Sequence, residues 1–286
     1  MGEKITVATV QARKGGPPLT MVTAYDTVMA TIADRAGVDL ILVGDSVADN
    51  VLGFSDTLSA TVEIMIHHTA AVARARPRAM IIGDMPWLSY HISLEESVRN
   101  AGRLIREGQA EAVKLEGGRK RLPVIEALLA AEIPVMGHLG LTPQSVRVMG
   151  GYRVQGRRLE AARALVEDAR ALAAAGVFAI VLEGVPTIVA RAITRLVPVP
   201  TIGIGAGPHC DGQVLVFHDL LGWHLDRRKA KFVRQYARLG EAAVSALQSF
   251  FADVRSGAFP SEGESYRMEE EEERAFEALL NELEGG

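Results

Sequence analysis

Leu40-Ile41-Leu42-Val43-Gly44-Asp45, Met80-Ile81-Ile82-Gly83-Asp84, Ala112-Val113-Lys114-Leu115-Glu116 and Ala179-Ile180-Val181-Leu182-Glu183 share one pattern. Each is an aliphatic run of strand length that stops at a carboxylate. A buried charge is costly unless it is paired, hydrogen-bonded or bound to metal, so acids at equivalent places in a repeat ask for a reason beyond packing. The runs therefore mark one end of a barrel and suggest a metal site at its mouth.

Working outward, Met21 to Ala24, Pro134 to Gly137, Pro200 to Ile204 and Gln213 to Phe217 complete a set of eight strand-like segments. Between most of them lie stretches of helical period: Thr27 to Ala36, Thr61 to Ala75, Leu94 to Glu107, Lys120 to Ala131, Arg158 to Ala175 and Thr187 to Leu196. Thr61 and Ser93 can cap helices, and Gly108 and Gly176 can close them. Alternating units of this kind imply a parallel sheet, and eight of them a (β/α)8 TIM-type barrel. The seventh helix is weakly signalled, between Pro208 and Gly212. Ala230 to Val254 reads as a long extra C-terminal helix, broken by the Gly, Ser and Pro of Ser256 to Ser265.

At 286 residues and 48% hydrophobic content the chain can bury one large core. The expected division is one barrel domain over residues 1–260, C-terminal helix included, and an acidic, flexible tail over 261–286. That tail carries ten Glu against two Arg. Its Phe276, Leu279, Leu280 and Leu283 form an apolar stripe that reads as a solvated or frayed segment before a docking helix. The remaining body, 29 basic against 25 acidic residues, is too mildly charged for a nucleic-acid binder. Met1 to Pro18 holds no uninterrupted apolar stretch, so neither a signal peptide nor a membrane span is expected. One cysteine, Cys210, excludes a disulfide framework and a thiolate zinc cage, and fits the cytoplasm.

In such a barrel the loops after the strand C-termini form the active face, where the opening acids converge. Lys114 and Glu116, two apart on one strand, point the same way; facing inward they would serve a site, although a buried pair can serve packing alone. Asp45 and Asp84 each follow a glycine that lets the strand end tightly. Oxygen donors without a Cys or His pair favour Mg²⁺ over zinc. Glu183 ends an apolar strand, where desolvation would suit it to proton abstraction, or it adds a further metal ligand. His138 can hydrogen-bond a developing oxygen. Gly203-Ile-Gly-Ala-Gly207 stands where barrels often bind phosphate but lacks a dinucleotide fingerprint, so close packing is the expected reason for its glycines. Cys210 has no evident basic partner and is not expected to act as a nucleophile.

Five segments together resemble the ketopantoate hydroxymethyltransferase family: Met21-Val-Thr-Ala-Tyr-Asp26, Val43-Gly-Asp-Ser46, Val113-Lys-Leu-Glu-Gly117, Gly137-His-Leu-Gly-Leu-Thr-Pro-Gln-Ser145 and Gly150-Gly-Tyr-Arg-Val-Gln-Gly156. Leu182-Glu183, Ile202-Gly-Ile-Gly-Ala-Gly207, Cys210-Asp-Gly-Gln213, His218-Asp-Leu-Leu-Gly222 and Ser256-Gly-Ala-Phe-Pro260 follow in the family's order. The resemblance spans roughly residues 5 to 265.

It implies a (β/α)8 barrel that transfers a one-carbon unit from 5,10-methylenetetrahydrofolate to 3-methyl-2-oxobutanoate, giving 2-dehydropantoate for pantothenate and coenzyme A. Mg²⁺ dependence and a homo-oligomer, a decamer, are implied with it. By position, Asp45, Asp84 and Glu116 match the metal-site carboxylates, and Asp45, Ser46, Asp84, Lys114, His138 and Tyr25 match substrate-binding positions. Glu183 matches the catalytic base. The alternative is a Mg²⁺-dependent carbon-carbon lyase of the isocitrate lyase/phosphoenolpyruvate mutase type, whose Lys-Lys-Cys-Gly-His motif is missing from this sequence. A silent binding protein would be expected to have lost a site acid, and none is lost. Val47-Ala48-Asp49 departs from the family's Leu-Gly-Met, Ser55-Asp56-Thr57 departs from Asp-Ser-Thr, and the acidic tail lies outside the usual pattern.

Overall fold

A computed structural model describes residues 3–227 and 229–285. Eight parallel strands, β1 (Leu19–Thr23), β2 (Leu40–Val43), β3 (Met80–Asp84), β4 (Ala112–Glu116), β5 (Val135–Gly140), β6 (Ala179–Glu183), β7 (Thr201–Ile204) and β8 (Gly212–Leu215), close into a barrel in sequence order. The helices are α1 (Val7–Gln11), α2 (Thr27–Arg35), α3 (Val47–Asn50), α4 (Val62–Ala73), α5 (Leu94–Arg106), α6 (Leu122–Ala130) and α7 (Val146–Met149), then α8 (Leu159–Ala175), α9 (Thr187–Leu196), α10 (Phe217–Leu221), α11 (Leu239–Ser256) and α12 (Glu270–Glu284). The (β/α)8 fold expected from the eight runs is the fold observed.

Alternation of side chains along each strand divides the apolar residues into two bodies. Leu40, Leu42, Met80, Ile82, Ala112, Met136, Ala179 and Val181 fill the barrel interior, with Val10 of α1 packed against the same cluster. Ile41, Val43, Ile81, Val113, Leu115, Ile180 and Leu182 face outward and pack under the surrounding helices. Local chemistry sets the helix ends: the Thr61 hydroxyl accepts from the Ile64 amide, the Ser93 hydroxyl from the Glu96 amide, and Gly176 closes α8 in the left-handed region.

Three expectations fail. Between β7 and β8 the described residues form a loop and no helix. Phe217, read as the end of the last strand, begins α10. The final helix starts at Leu239, not Ala230. Residues 223–227 and 229–238 instead form a strap pinned by buried Val233 and by a Tyr236 amide that donates to the Leu220 carbonyl at 2.8 Å. No helix of the described residues is long and apolar enough to cross a membrane.

Candidate active site

Asp84, Glu116 and Glu183 are the last residues of β3, β4 and β6, and Asp45 stands two residues beyond β2. Parallel register sets Asp84 beside Lys114, Glu116 beside His138 and Glu183 beside Gly140. These positions continue the inward series Met80-Ile82-Asp84, Ala112-Lys114-Glu116, Met136-His138 and Ala179-Val181-Glu183. Apolar interior positions below thus give way to charged ones at the C-terminal mouth. All six charged side chains line one cavity of about 290 Å³.

Within that cavity the Lys114 Nζ lies 2.8 Å from Asp84 Oδ1 and 4.0 Å from Glu116 Oε1. The His138 ring stands between two acids, with Nδ1 3.2 Å from Glu116 Oε1 and Nε2 3.3 Å from Glu183 Oε2. The Asp45 amide donates to Asp84 Oδ2 at 3.2 Å. Ser46, next along, shares a 2.8 Å hydrogen bond with the buried Tyr25 hydroxyl. Asp84, Glu116, Lys114 and His138 are all but sealed from solvent, whereas the Glu183 side chain keeps 16% of its surface exposed. Glu183 is therefore the most exposed of the four acids.

Burial pushes the Asp45 carboxyl well above the usual carboxylate range, and the neighbouring Asp84 and Glu116 charges push it further. Asp84 is raised too, chiefly by burial, despite the Lys114 ammonium beside it. Burial pulls on Lys114 in the opposite sense, yet Asp84, Glu116 and Asp45 hold it above its ordinary value. His138 resists both burial and Lys114: Glu116 and Glu183 push its imidazole up to about 9, so it is an imidazolium at neutral pH. Glu116 is lowered, because His138 and Lys114 outweigh its burial.

Four carboxylates thus face two cations, a surplus of negative charge that suits a divalent cation held by oxygen donors. Asp84 Oδ1 is buried and makes no aligned hydrogen bond, which leaves it an acceptor facing the cavity. The donor set fits Mg²⁺ by charge and chemistry. Among the described residues no three His, Cys, Asp or Glu side chains are grouped at ligand spacing. Each acid leans instead on an internal partner: Asp84 on Lys114, Glu116 on His138, and Asp45 on Gln144.

Gln144 and Tyr90 were not singled out from sequence. The Gln144 Nε2 donates to Asp45 Oδ2 and to the Met85 carbonyl, both at 2.9 Å, and its amide donates to Glu116 Oε2 at 3.0 Å. The Tyr90 hydroxyl donates to Gln144 Oε1 at 2.5 Å and accepts from the Glu116 amide at 3.2 Å. Gln144 lay within the quoted Gly137 to Ser145 segment, but nothing in its spacing separates it from a turn residue. The glycines after β7 have the expected packing reason: a Cβ on Gly205 would come within 2.8 Å of the Phe232 ring, and one on Gly207 within 2.5 Å of the Thr187 hydroxyl. Cys210 has its thiol pushed up by burial, which opposes thiolate chemistry.

A ketopantoate hydroxymethyltransferase family profile matches residues 4–262. The chain is 56% identical over 265 residues to the 3-methyl-2-oxobutanoate hydroxymethyltransferase of Moorella thermoacetica, covering 92% of this chain and 98% of that one. Among solved structures it is similar to a 2,3-dimethylmalate lyase of the PEP mutase/isocitrate lyase superfamily, with TM-score 0.58, 19% identity, and 99% of each chain covered. It is also similar to a phosphonopyruvate hydrolase in complex with oxalate and Mg²⁺, with TM-score 0.59, 15% identity, and 98% of each chain covered. At those identities the two structures speak for the barrel alone. Fold, site and relatives together define an enzyme, a one-carbon transferase built on a (β/α)8 barrel. The chain belongs to the ketopantoate hydroxymethyltransferase family.

Proposed function

We propose that this enzyme transfers a hydroxymethyl group from 5,10-methylenetetrahydrofolate to 3-methyl-2-oxobutanoate, forming 2-dehydropantoate for pantothenate and coenzyme A synthesis in the cytoplasm. The observation that carries the reading is the arrangement of Lys114 and His138 among buried acids, with Glu183 at the open edge. Asp45 and Asp84, with Glu116 directly or through water, would hold Mg²⁺, which when bound would supply Lewis-acid chemistry to the keto acid.

Glu183 takes the proton from C3, and the electron pair of that bond passes to the 2-oxo oxygen. Lys114 is the buried cation that opposes the developing charge, and Ser46, fixed by Tyr25, donates a hydrogen bond to the keto acid. His138 keeps Glu183 oriented and lies where the new hydroxyl forms. Water breaks the two bonds from the methylene carbon to the folate nitrogens, which frees tetrahydrofolate and leaves the one-carbon unit at the aldehyde level; C3 then bonds to that carbon, and the alkoxide formed takes the proton that Glu183 removed. A positioned base contributes ~10² to 10⁴ in rate, so Glu183 alone is insufficient.

Deuterium exchange at C3 of the keto acid, followed by NMR without folate, isolates the first step. Wild-type protein with Mg²⁺ should exchange and Glu183→Gln should not; unchanged exchange in that variant would remove Glu183 from the base role. Absence of 2-dehydropantoate from the full mixture with Mg²⁺ would sink the assignment itself. A Mg²⁺-dependent carbon-carbon lyase is not favoured, because the likeness to such a lyase stands at 19% identity against 56% to the transferase.

A further inference from the structure

The segment between α10 and α11 is strongly basic in a chain that is acidic as a whole. Over residues 223–238 the sequence sets Arg227, Arg228, Lys229, Lys231, Arg234 and Arg238 against Asp226, six cations less one acid or +5, where the full chain carries −4. Charge of one sign concentrated on one segment draws in ligands of the other sign. Part of it is gathered around a basin of about 360 Å³, whose wall includes His224, Arg227, Lys229, Arg238 and Glu241. Three cations there face one acid. Arg238 pairs with Glu241 at 3.6 Å and Arg227 with Asp49, whereas Lys229 forms no ion pair among the described residues.

Arg227 also belongs to the wall of the 290 Å³ cavity, so the basin and the mouth meet at its side chain. Its guanidinium carries five N–H donors, enough to keep Asp49 and Asn50 Oδ1 and still meet a further oxygen on the basin side.

The cavity is too small for everything the reaction brings together. Small-ligand pockets run from about 300 to 1,000 Å³, and at about 290 Å³ this one has room for a keto acid but not for a folate beside it. Much of the folate must lie outside, and its two ends differ in chemistry: a flat ring system and a glutamate with two carboxylates. Rings suit Phe232 and Tyr152, which stand at the cavity wall 41% and 59% exposed. The carboxylates are repelled by the four acids below and drawn to the adjoining basin. A different pocket, of about 330 Å³, has Lys120 and Asp168 as its charged residues and shares no wall residue with the cavity, so it offers a dianion no net attraction.

Resting on the folate reading above, we infer that the basin receives the glutamate of the folate co-substrate, its carboxylates against Arg227, Lys229 and Arg238 while the ring system crosses the rim beside Phe232 and Tyr152.

The test measures KM in two variants of the full chain, Lys229→Glu and Arg238→Glu, with Lys231→Glu, on the same segment but outside the basin, as control. Each basin variant should raise KM for 5,10-methylenetetrahydrofolate about 3- to 10-fold at low salt, a rise that shrinks as salt is added. KM for 3-methyl-2-oxobutanoate and the folate-free exchange at C3 should stay as in wild type. KM for 5,10-methylenetetrahydropteroate, which lacks the glutamate, should not move in any variant, and Lys231→Glu should match wild type throughout. An unchanged folate KM in both basin variants, an equal rise for the pteroate, or an equal rise in Lys231→Glu would each overturn the inference while the transferase reading stands. No product from wild type with either co-substrate would sink that reading and the inference with it. Circular dichroism checks folding, and Lys229→Gln and Arg238→Gln repeat the measurement should a charge reversal lose helix content.

Discussion

At the scale of single residues, the candidate site depends on a side chain that its neighbours make indispensable. Gln144 fixes Asp45, the Met85 carbonyl and, through its backbone, Glu116, while Tyr90 fixes Gln144. Leu in its place leaves Asp45 Oδ2 without that donor, so Gln144→Leu should raise the Mg²⁺ concentration for half-maximal activity about 10- to 100-fold, as loss of partners that orient metal ligands does. A Mg²⁺ titration of initial rate measures it, and an unchanged midpoint would refute the orienting role. His218 is a second case. Burial and the stacked His224 ring, 5.3 Å away, push its imidazole down to about 4. Its folded pKa lies below the unfolded value near 6.5, so the unfolded chain binds the extra proton between those values. Its contribution is therefore complete above about pH 6.5 and is lost as pH falls toward 4, by up to on the order of 3 kcal/mol. Urea unfolding of wild type and His218→Asn at pH 7 and pH 4.5 should show a smaller pH dependence in the variant.

At the scale of elements, what was legible in the sequence followed from periodicity tied to burial. β2 to β6 are buried on both faces, and such strands read as continuous aliphatic runs. The strap over residues 223–227 and 229–238 was illegible for the same reason: Ala230, Val233 and Tyr236 recur at helical spacing, yet the segment is held by backbone contacts to His218 and Leu220 that no local pattern encodes. The strap also reaches the mouth. Arg227 pairs with Asp49, donates to Asn50 Oδ1 at 3.0 Å, and lines the same cavity as Asp45. Asp49 stands at the family departure noted in the sequence, and the pairing supplies a structural partner for it. Because Arg227 is 43% exposed, the pair adds at most about 1 kcal/mol to stability. Arg227→Ala should therefore move the melting temperature by no more than a few degrees while raising KM for one or both substrates; an unchanged KM would leave the strap no part in binding.

At the scale of the whole molecule, the barrel and its charged mouth were read together, since acids at strand ends are a statement about topology as well as chemistry. The distribution of those charges was not legible, because sequence cannot tell which acid pairs with which cation. In the folded chain the cations settle on Asp84, Glu116 and Glu183, leaving Asp45 the least compensated. Its burial beside Asp84 and Glu116 should cost the metal-free protein stability that a bound dication returns. Asn at this position keeps an amide oxygen for the Gln144 donor and removes the charge. Asp45→Asn should thus melt at the same temperature as wild type or a few degrees higher without metal. Wild type should gain in Mg²⁺ by an amount that grows with concentration, about 2.7 kcal/mol at a hundredfold excess over Kd, and the variant should gain little. Scanning calorimetry with and without chelator separates the two terms. A metal-free variant that melts several degrees below wild type would show that the Asp45 charge is well compensated within the fold, and that the electrostatic case for a dication at this mouth fails.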